Sequence, residues 1–118
     1  MLEIEDNKIF LTRGDKATIN LEIPDYVFKI GDIVKFKIYN KYGMNKPALL
    51  TKTIKIEAEA DSLNIELTSQ ETRLGEMLNK TNTFWYEIEL NGNQTILGYD
   101  KGGAKELILY PEGADLNE

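Results

Sequence analysis

Apolar and polar residues alternate with a period of two along most of the chain. The strongest run covers residues 84–90, where apolar side chains alternate with Trp85, Glu87 and Glu89. Successive side chains of a strand point to opposite faces, so this pattern predicts a strand that is buried on one side. Similar segments bring the number of predicted strands to about eight: residues 8–12, 17–23, 34–39, 50–57, 63–67, 84–90, 95–99 and 106–110.

Turn-forming residues separate these strands. Pro24-Asp25, Gly31-Asp32 and Asn91-Gly92-Asn93 are typical turn sequences, and such signals recur roughly every 8–12 residues. Before the strand of Trp85, Thr68-Ser69-Gln70-Glu71 has the form of a helix capping box, and Gly75 comes soon after as a natural helix end. The sequence therefore predicts one short helix between residues 68 and 75.

These elements favour an immunoglobulin-like antiparallel β-sandwich of about eight strands with one short helix; an open barrel is the competing architecture. The chain has 118 residues, the length of one ordinary domain, so residues 1–118 are predicted to form a single sandwich. Residues 111–118 contain acidic side chains and little apolar surface, and we expect them to be a frayed tail.

The composition removes several classes of chemistry. The chain contains no cysteine and no histidine. A disulfide framework, a thiolate nucleophile, a zinc–thiolate site and a Ser-His-Asp or Cys-His arrangement are therefore impossible within it. No phosphate-binding loop or EF-hand spacing is present. We expect no enzyme activity, no catalytic residues, no metal and no cofactor.

The charge balance bears on the partner. The formal net charge is −6, and no run of Lys or Arg offsets it, so nucleic acid is not an expected partner. No segment reaches the ~18 apolar residues of a membrane span, and the N-terminus lacks the pattern of a signal peptide. The tripeptide Arg13-Gly14-Asp15 spells an integrin-binding motif, but in a predicted turn it is also ordinary turn chemistry.

The outward side of the strongest strand is the best candidate site. In an immunoglobulin-like order the 34–39 strand lies beside it, so two Lys would pair across strands with two Glu, and two aromatic residues would supply anchoring area. The predicted interaction face comprises Lys35, Lys37, Tyr39, Trp85, Glu87 and Glu89. A solvated sheet face, or Trp85 packed beneath the loop of residues 40–47, are the alternatives. A hydrolase based on Glu87 and Glu89 would need a cleft that a small sandwich rarely offers.

Two parts of the sequence carry a family resemblance. The first is Leu11-Thr12-Arg13-Gly14-Asp15, followed by an alternating strand, Gly31-Asp32 and Val34-Lys35-Phe36; the second is the run from Phe84 to Leu90 with Ile96-Leu97-Gly98-Tyr99-Asp100. The chain resembles the small immunoglobulin-like domains of phage and prophage tails, in particular the N-terminal domain of baseplate upper proteins. The resemblance implies a virion structural protein that binds copies of itself or other tail components, located in the phage tail or, before assembly, in the bacterial cytoplasm.

The sequence thus predicts a non-enzymatic structural or interaction module. Its expected partner is protein, and a homo-oligomer is possible on this prediction. A carbohydrate-binding or host-adhesion module, with Trp85 and Tyr39 as a stacking platform, is the alternative function.

Overall fold

Nine β-strands and no α-helix are formed by the residues that the computed structural model describes, which are 2–40, 47–75, 79–98, 101 and 103–112. The strands are β1 (Leu2–Glu5), β2 (Lys8–Thr12), β3 (Ala17–Leu21), β4 (Ile33–Tyr39), β5 (Leu50–Lys55), β6 (Leu63–Leu67), β7 (Asn82–Leu90), β8 (Gln94–Leu97) and β9 (Lys105–Tyr110). The all-β prediction is confirmed, and each of the eight predicted strands overlaps one of β2 to β9.

Seven strands form one sheet. Its order is β1-β2-β9-β7-β4-β5, and β8 also pairs with β7. Every pairing is antiparallel except that of β2 with β9, which is parallel and joins the two ends of the chain. This pairing sets Phe10 beside Ile108 and Thr12 beside Tyr110.

The other sheet consists of β3 and β6 alone. Their register pairs Ile19 with Ile65, and both residues are buried, as expected for alternating strands with one apolar face. A single cluster of buried apolar side chains joins this pair to the large sheet through residues such as Phe36, Phe84 and Leu107. Two sheets around one core are consistent with a β-sandwich.

One strand was not predicted. β1 pairs with β2 through a tight turn at Asp6 and Asn7, whose φ angles are 50° and 65°. Left-handed conformations at both central residues are typical of the turn that closes a two-residue hairpin. The strand is short and mostly exposed, so its amphipathic signal is weak.

The predicted helix is wrong, although its capping box forms. The amide of Thr68 donates to Glu71 Oε1 at 2.9 Å, and the amide of Glu71 donates to Thr68 Oγ1 at 3.1 Å. The Thr72 amide donates to the Thr68 carbonyl at 3.1 Å and the Arg73 amide donates to the Gln70 carbonyl at 3.1 Å, which completes one turn, and Gly75 adopts a φ of 82°. One turn gains too few hydrogen bonds to offset the cost of helix nucleation, so the segment remains a turn.

Contacts with distant residues hold this turn in place. Lys52 Nζ lies 2.8 Å from Glu71 Oε2, and Thr72 Oγ1 donates to the Asp15 carbonyl at 2.9 Å. The Gly14 amide in turn donates to Thr72 Oγ1 at 3.0 Å. The predicted loop at residues 40–47 and the predicted tail at 111–118 lie mostly outside the described residues, as does Tyr99, the predicted end of the 95–99 strand.

Candidate functional site

The central feature of the predicted face is the pairing of β4 with β7. The register sets Lys35 opposite Glu89, Lys37 opposite Glu87, and Tyr39 opposite Trp85. All six side chains belong to outward-facing positions, because the residues between them on both strands are buried. The structure therefore brings the six predicted residues together on one face of the large sheet.

One ion pair crosses this face. Lys37 Nζ lies 3.1 Å from Glu89 Oε1, and the two side chains retain only 24% and 21% of their accessible surface. The nearby Glu89 carboxylate raises the pKa of Lys37. A partly desolvated pair of this kind fixes the geometry of a surface better than an exposed pair does.

Glu87 lies beside this pair, and its surroundings disfavour its charged form. Partial burial, followed by a hydrogen bond with Glu89, raises the pKa of Glu87. The same hydrogen bond, together with Lys37, lowers the pKa of Glu89. As pH falls, Glu87 therefore takes up a proton before Glu89 does, and its protonated carboxyl donates a hydrogen bond to the Glu89 carboxylate.

Tyr39 and Trp85, the aromatic end of the face, are less exposed than their outward positions on the strands predict. Tyr39 is only 8% exposed, and burial is the main cause that raises its pKa. Trp85 is half-buried. Because little of Tyr39 reaches the surface, the two rings do not form an open platform on which a sugar could stack.

Three apolar residues that the sequence analysis did not assign extend this face. Phe10 and Ile108 are half-buried neighbours on β2 and β9, and Tyr110 is 36% exposed. The rings of Phe10 and Tyr110 stack with centroids 6.5 Å apart. Alternation places all three on the outward side, and Ile108 pairs with Thr83, the outward residue of β7 that precedes Trp85.

The sequence could not reveal this extension because it depends on the parallel pairing of the chain ends. Alternation within residues 8–12 and 106–110 places Phe10, Ile108 and Tyr110 on the same side of their strands as polar residues. It does not show that the two strands are adjacent. A second ion pair, between Lys8 Nζ and Glu106 Oε1 at 3.4 Å, borders the patch.

The acidic side chains of this face lie outside the grooves formed by the described residues. Three grooves lined by described residues lie elsewhere, and neither Glu87 nor Glu89 lines any of them. A carboxylate pair on an open sheet face lacks the water-excluding pocket that acid–base chemistry needs. Within the described part of the chain, no group of three or more acidic side chains is placed to hold a metal ion, and no helix is long and apolar enough to cross a membrane.

The integrin-type tripeptide is not displayed. Arg13 is fully buried, and its guanidinium donates to the carbonyl of Leu74. Its backbone amide donates to Tyr110 at 2.9 Å, and that of Asp15 to Thr12 at 3.1 Å. The motif forms a structural turn, as its ordinary turn chemistry predicts.

Comparison with known proteins found no family model, no curated protein and no solved structure that matches the chain.

Proposed function

We propose that this protein is a non-enzymatic interaction module whose contact surface is the outward face of the large sheet. The face comprises the six residues of the β4–β7 pair together with Phe10, Ile108 and Tyr110. The observation that carries the proposal is the combination of a partly desolvated Lys37–Glu89 pair with apolar and aromatic side chains on one face of a sheet. Protein interfaces commonly combine aromatic anchors with polar groups whose partners are already satisfied.

The strand order supports an immunoglobulin-like topology. β9, β7, β4 and β5 are consecutive neighbours in one sheet, while β3 and β6 form the other. Strands G, F, C and C′ of variable-type immunoglobulin domains likewise share a sheet, and strands B and E belong to the opposite one. The sheet that carries the proposed contact surface is thus the equivalent of the GFC sheet.

The phage context is part of the same proposal. The sequence resemblance to baseplate-associated domains supports a role in a tail or baseplate, where many copies of a small domain contact one another. An oligomer built through one sheet face fits a multi-copy assembly. Detection of the chain in purified tails by mass spectrometry would support this role, and its absence from intact tails would contradict it.

The first experiment measures self-association. Light scattering coupled to size-exclusion chromatography compares the wild type with Trp85→Ala and with Ile30→Ala. Ile30 is 74% exposed and lies off the face, so it is a matched apolar control. We expect a defined oligomer for the wild type and for Ile30→Ala, and a folded monomer for Trp85→Ala.

Two results would contradict the proposal in different ways. An oligomer that survives Trp85→Ala would place the contact elsewhere on the molecule. A wild type that stays monomeric up to millimolar concentration would exclude self-assembly through this face. A glycan screen followed by Trp85 fluorescence would then test the alternative, a carbohydrate-binding or host-adhesion module, for which the half-buried Trp85 is the remaining support.

A further inference from the structure

Two grooves flank a turn at one end of the sandwich, away from the outward sheet face. The turn comprises residues 23–26, and its amide-to-carbonyl bond joins Tyr26 to Ile23 at 3.2 Å. One groove, of about 500 Å³, is lined by residues 22–27 and Asp61. The other, of about 490 Å³, shares Ile23, Pro24 and Tyr26 and continues along residues 94–96.

The two grooves differ in chemistry. Glu22, Asp25 and Asp61 line the first groove, and no Lys or Arg is among its described lining residues. The second groove has mainly apolar walls, to which Leu90 and Ile96 contribute. A ligand that spans both grooves would therefore need cationic groups at one side and apolar groups at the other.

Hydrogen bonds and a ring contact hold the ridge between the grooves. Tyr26 donates its hydroxyl to Asp32 Oδ2 at 2.5 Å, and its ring meets Phe28 edge-on with centroids 5.7 Å apart. Asp32 Oδ1 accepts a further bond from Asn91 Nδ2 at 3.1 Å, which ties the ridge to the turn after β7. A wall held in this way loses little conformational freedom when a ligand binds.

An exposed apolar side chain also marks this end as a surface for binding. Val27 lines the acidic groove and is 39% exposed. Apolar side chains left in water beside a groove are typical of contact sites.

We infer that these grooves bind an extended segment of another protein in which apolar side chains are flanked by Lys or Arg. The charge of the rim selects this occupant, because three carboxylates attract cations and repel acidic segments. The site does not depend on the outward sheet face, so either can exist without the other.

Fluorescence anisotropy with a labelled peptide, Gly-Lys-Leu-Lys-Ile-Lys-Gly, tests the inference at low salt. Two matched probes replace either both apolar residues with Ser or all Lys with Glu. We expect saturable binding of the first peptide alone, with amide shifts in a ¹⁵N-labelled sample confined to residues 22–27, 61 and 90–96. Equal binding of the Ser peptide, shifts centred elsewhere, or no binding of any probe would overturn the inference.

Paired variants locate the site. Asp25→Asn combined with Asp61→Asn should weaken binding at least fivefold, and Val27→Ser about threefold, with the wild-type fold retained. Glu3→Gln combined with Glu5→Gln removes two exposed carboxylates from β1 and should change binding less than twofold. Trp85→Ala should leave binding unchanged, which separates this site from the sheet face. A similar loss in both double variants would mean that overall charge alone holds the peptide, which also overturns the inference.

Discussion

Lys37 on β4 pairs diagonally with Glu89 on β7, at 3.1 Å, although Glu87 is the residue directly opposite it. Diagonal neighbours on adjacent strands are within reach of long side chains, so the register permits either partner. Because Lys37 pairs with Glu89, Glu87 is the carboxyl group that holds a proton more readily. It is hydrogen-bonded to Glu89 and partly buried. The face therefore combines a satisfied ion pair with one disfavoured negative charge.

Glu87→Gln should stabilise the protein at neutral pH. The amide keeps a donor for Glu89 and removes a carboxylate that is costly beside a second carboxylate. We expect the free energy of unfolding to rise by about 0.5 kcal/mol, the scale of an interaction between two charges near the surface. Urea unfolding at pH 7.5 measures it, and Glu66→Gln, on the exposed side of β6, is the control that should show no change.

The gain should vanish in acid. Because the folded pKa of Glu87 lies above its unfolded value, the stability that this group contributes is complete below the unfolded pKa and is lost as pH rises through the folded pKa. The free energies of unfolding of the wild type and of Glu87→Gln should therefore become equal below pH 4, apart from the small effect of Glu89. A difference that is constant between pH 3.5 and 7.5 would contradict the assignment of the proton to Glu87.

Asp32 anchors the connection between β3 and β4, and its loss should destabilise the protein at neutral pH. It accepts from the Tyr26 hydroxyl, from the Lys29 amide at 2.9 Å and from Asn91, and the bond from Tyr26 is the main cause that lowers its pKa. Its folded pKa is below its unfolded value, so this stabilisation is present above the unfolded pKa and is lost as pH falls through the folded one.

A double-mutant cycle tests this anchor. Asp32→Asn and Tyr26→Phe should each lower the midpoint of thermal unfolding at pH 7. Because the two residues share a hydrogen bond, the double variant should lose less than the sum of the single changes. The effect of Asp32→Asn should shrink at pH 3. Strict additivity of the two changes would show that the bond contributes nothing.

Gly14 and Gly31 form a matched pair for a steric prediction. Both have positive φ angles, 84° and 96°, so a Cβ strains the backbone at either site. A Cβ on Gly31 meets open space, whereas one on Gly14 collides with the carboxylate of Glu112 and the guanidinium of Arg73. These two groups form an ion pair that would have to move.

Both alanine variants should be destabilised, with Gly14→Ala the more so. We expect each variant to lose about 1 kcal/mol from backbone strain, and Gly14→Ala up to about 1 kcal/mol more from the displaced ion pair. Urea unfolding of the two variants measures the difference. Equal losses would mean that Glu112 moves aside at no cost.

Local alternation was sufficient to predict eight of the nine strands, β2 to β9, and the adjacency of β4 and β7 followed from the assumed immunoglobulin-like order. The capping box at Thr68 and Glu71 was also predicted correctly as a set of hydrogen bonds, because it depends only on residues three apart. The helix prediction failed because helix length depends on the contacts made by the residues beyond the first turn. There Lys52 and Asp15, distant in sequence, hold Glu71 and Thr72.

The proposed contact surface was only partly predictable from the sequence, for a related reason. The six residues of β4 and β7 follow from parity and an assumed strand order. Phe10 and Tyr110 stack only because β2 and β9 are parallel neighbours, and nothing local in either segment encodes that pairing. The enclosure of Tyr39 likewise depends on tertiary packing rather than on its outward parity.

Tyr86 provides a spectroscopic test of the core. Burial raises its pKa to about 12, and its hydroxyl donates to the carbonyl of Asn7 at 2.5 Å. In an ultraviolet titration the last of the six tyrosines to ionise should therefore be absent from Tyr86→Phe.

Since the folded pKa of Tyr86 exceeds the unfolded value near 10, the stabilisation by neutral Tyr86 is complete below pH 10 and is lost as pH rises towards 12. Tyr86→Phe should cost about 1 kcal/mol at pH 7, the scale of one hydrogen bond, and it should also lessen the loss of stability above pH 10. Tyr110→Phe, at a surface position, is the control, and a late-ionising tyrosine that persists in Tyr86→Phe would contradict the prediction.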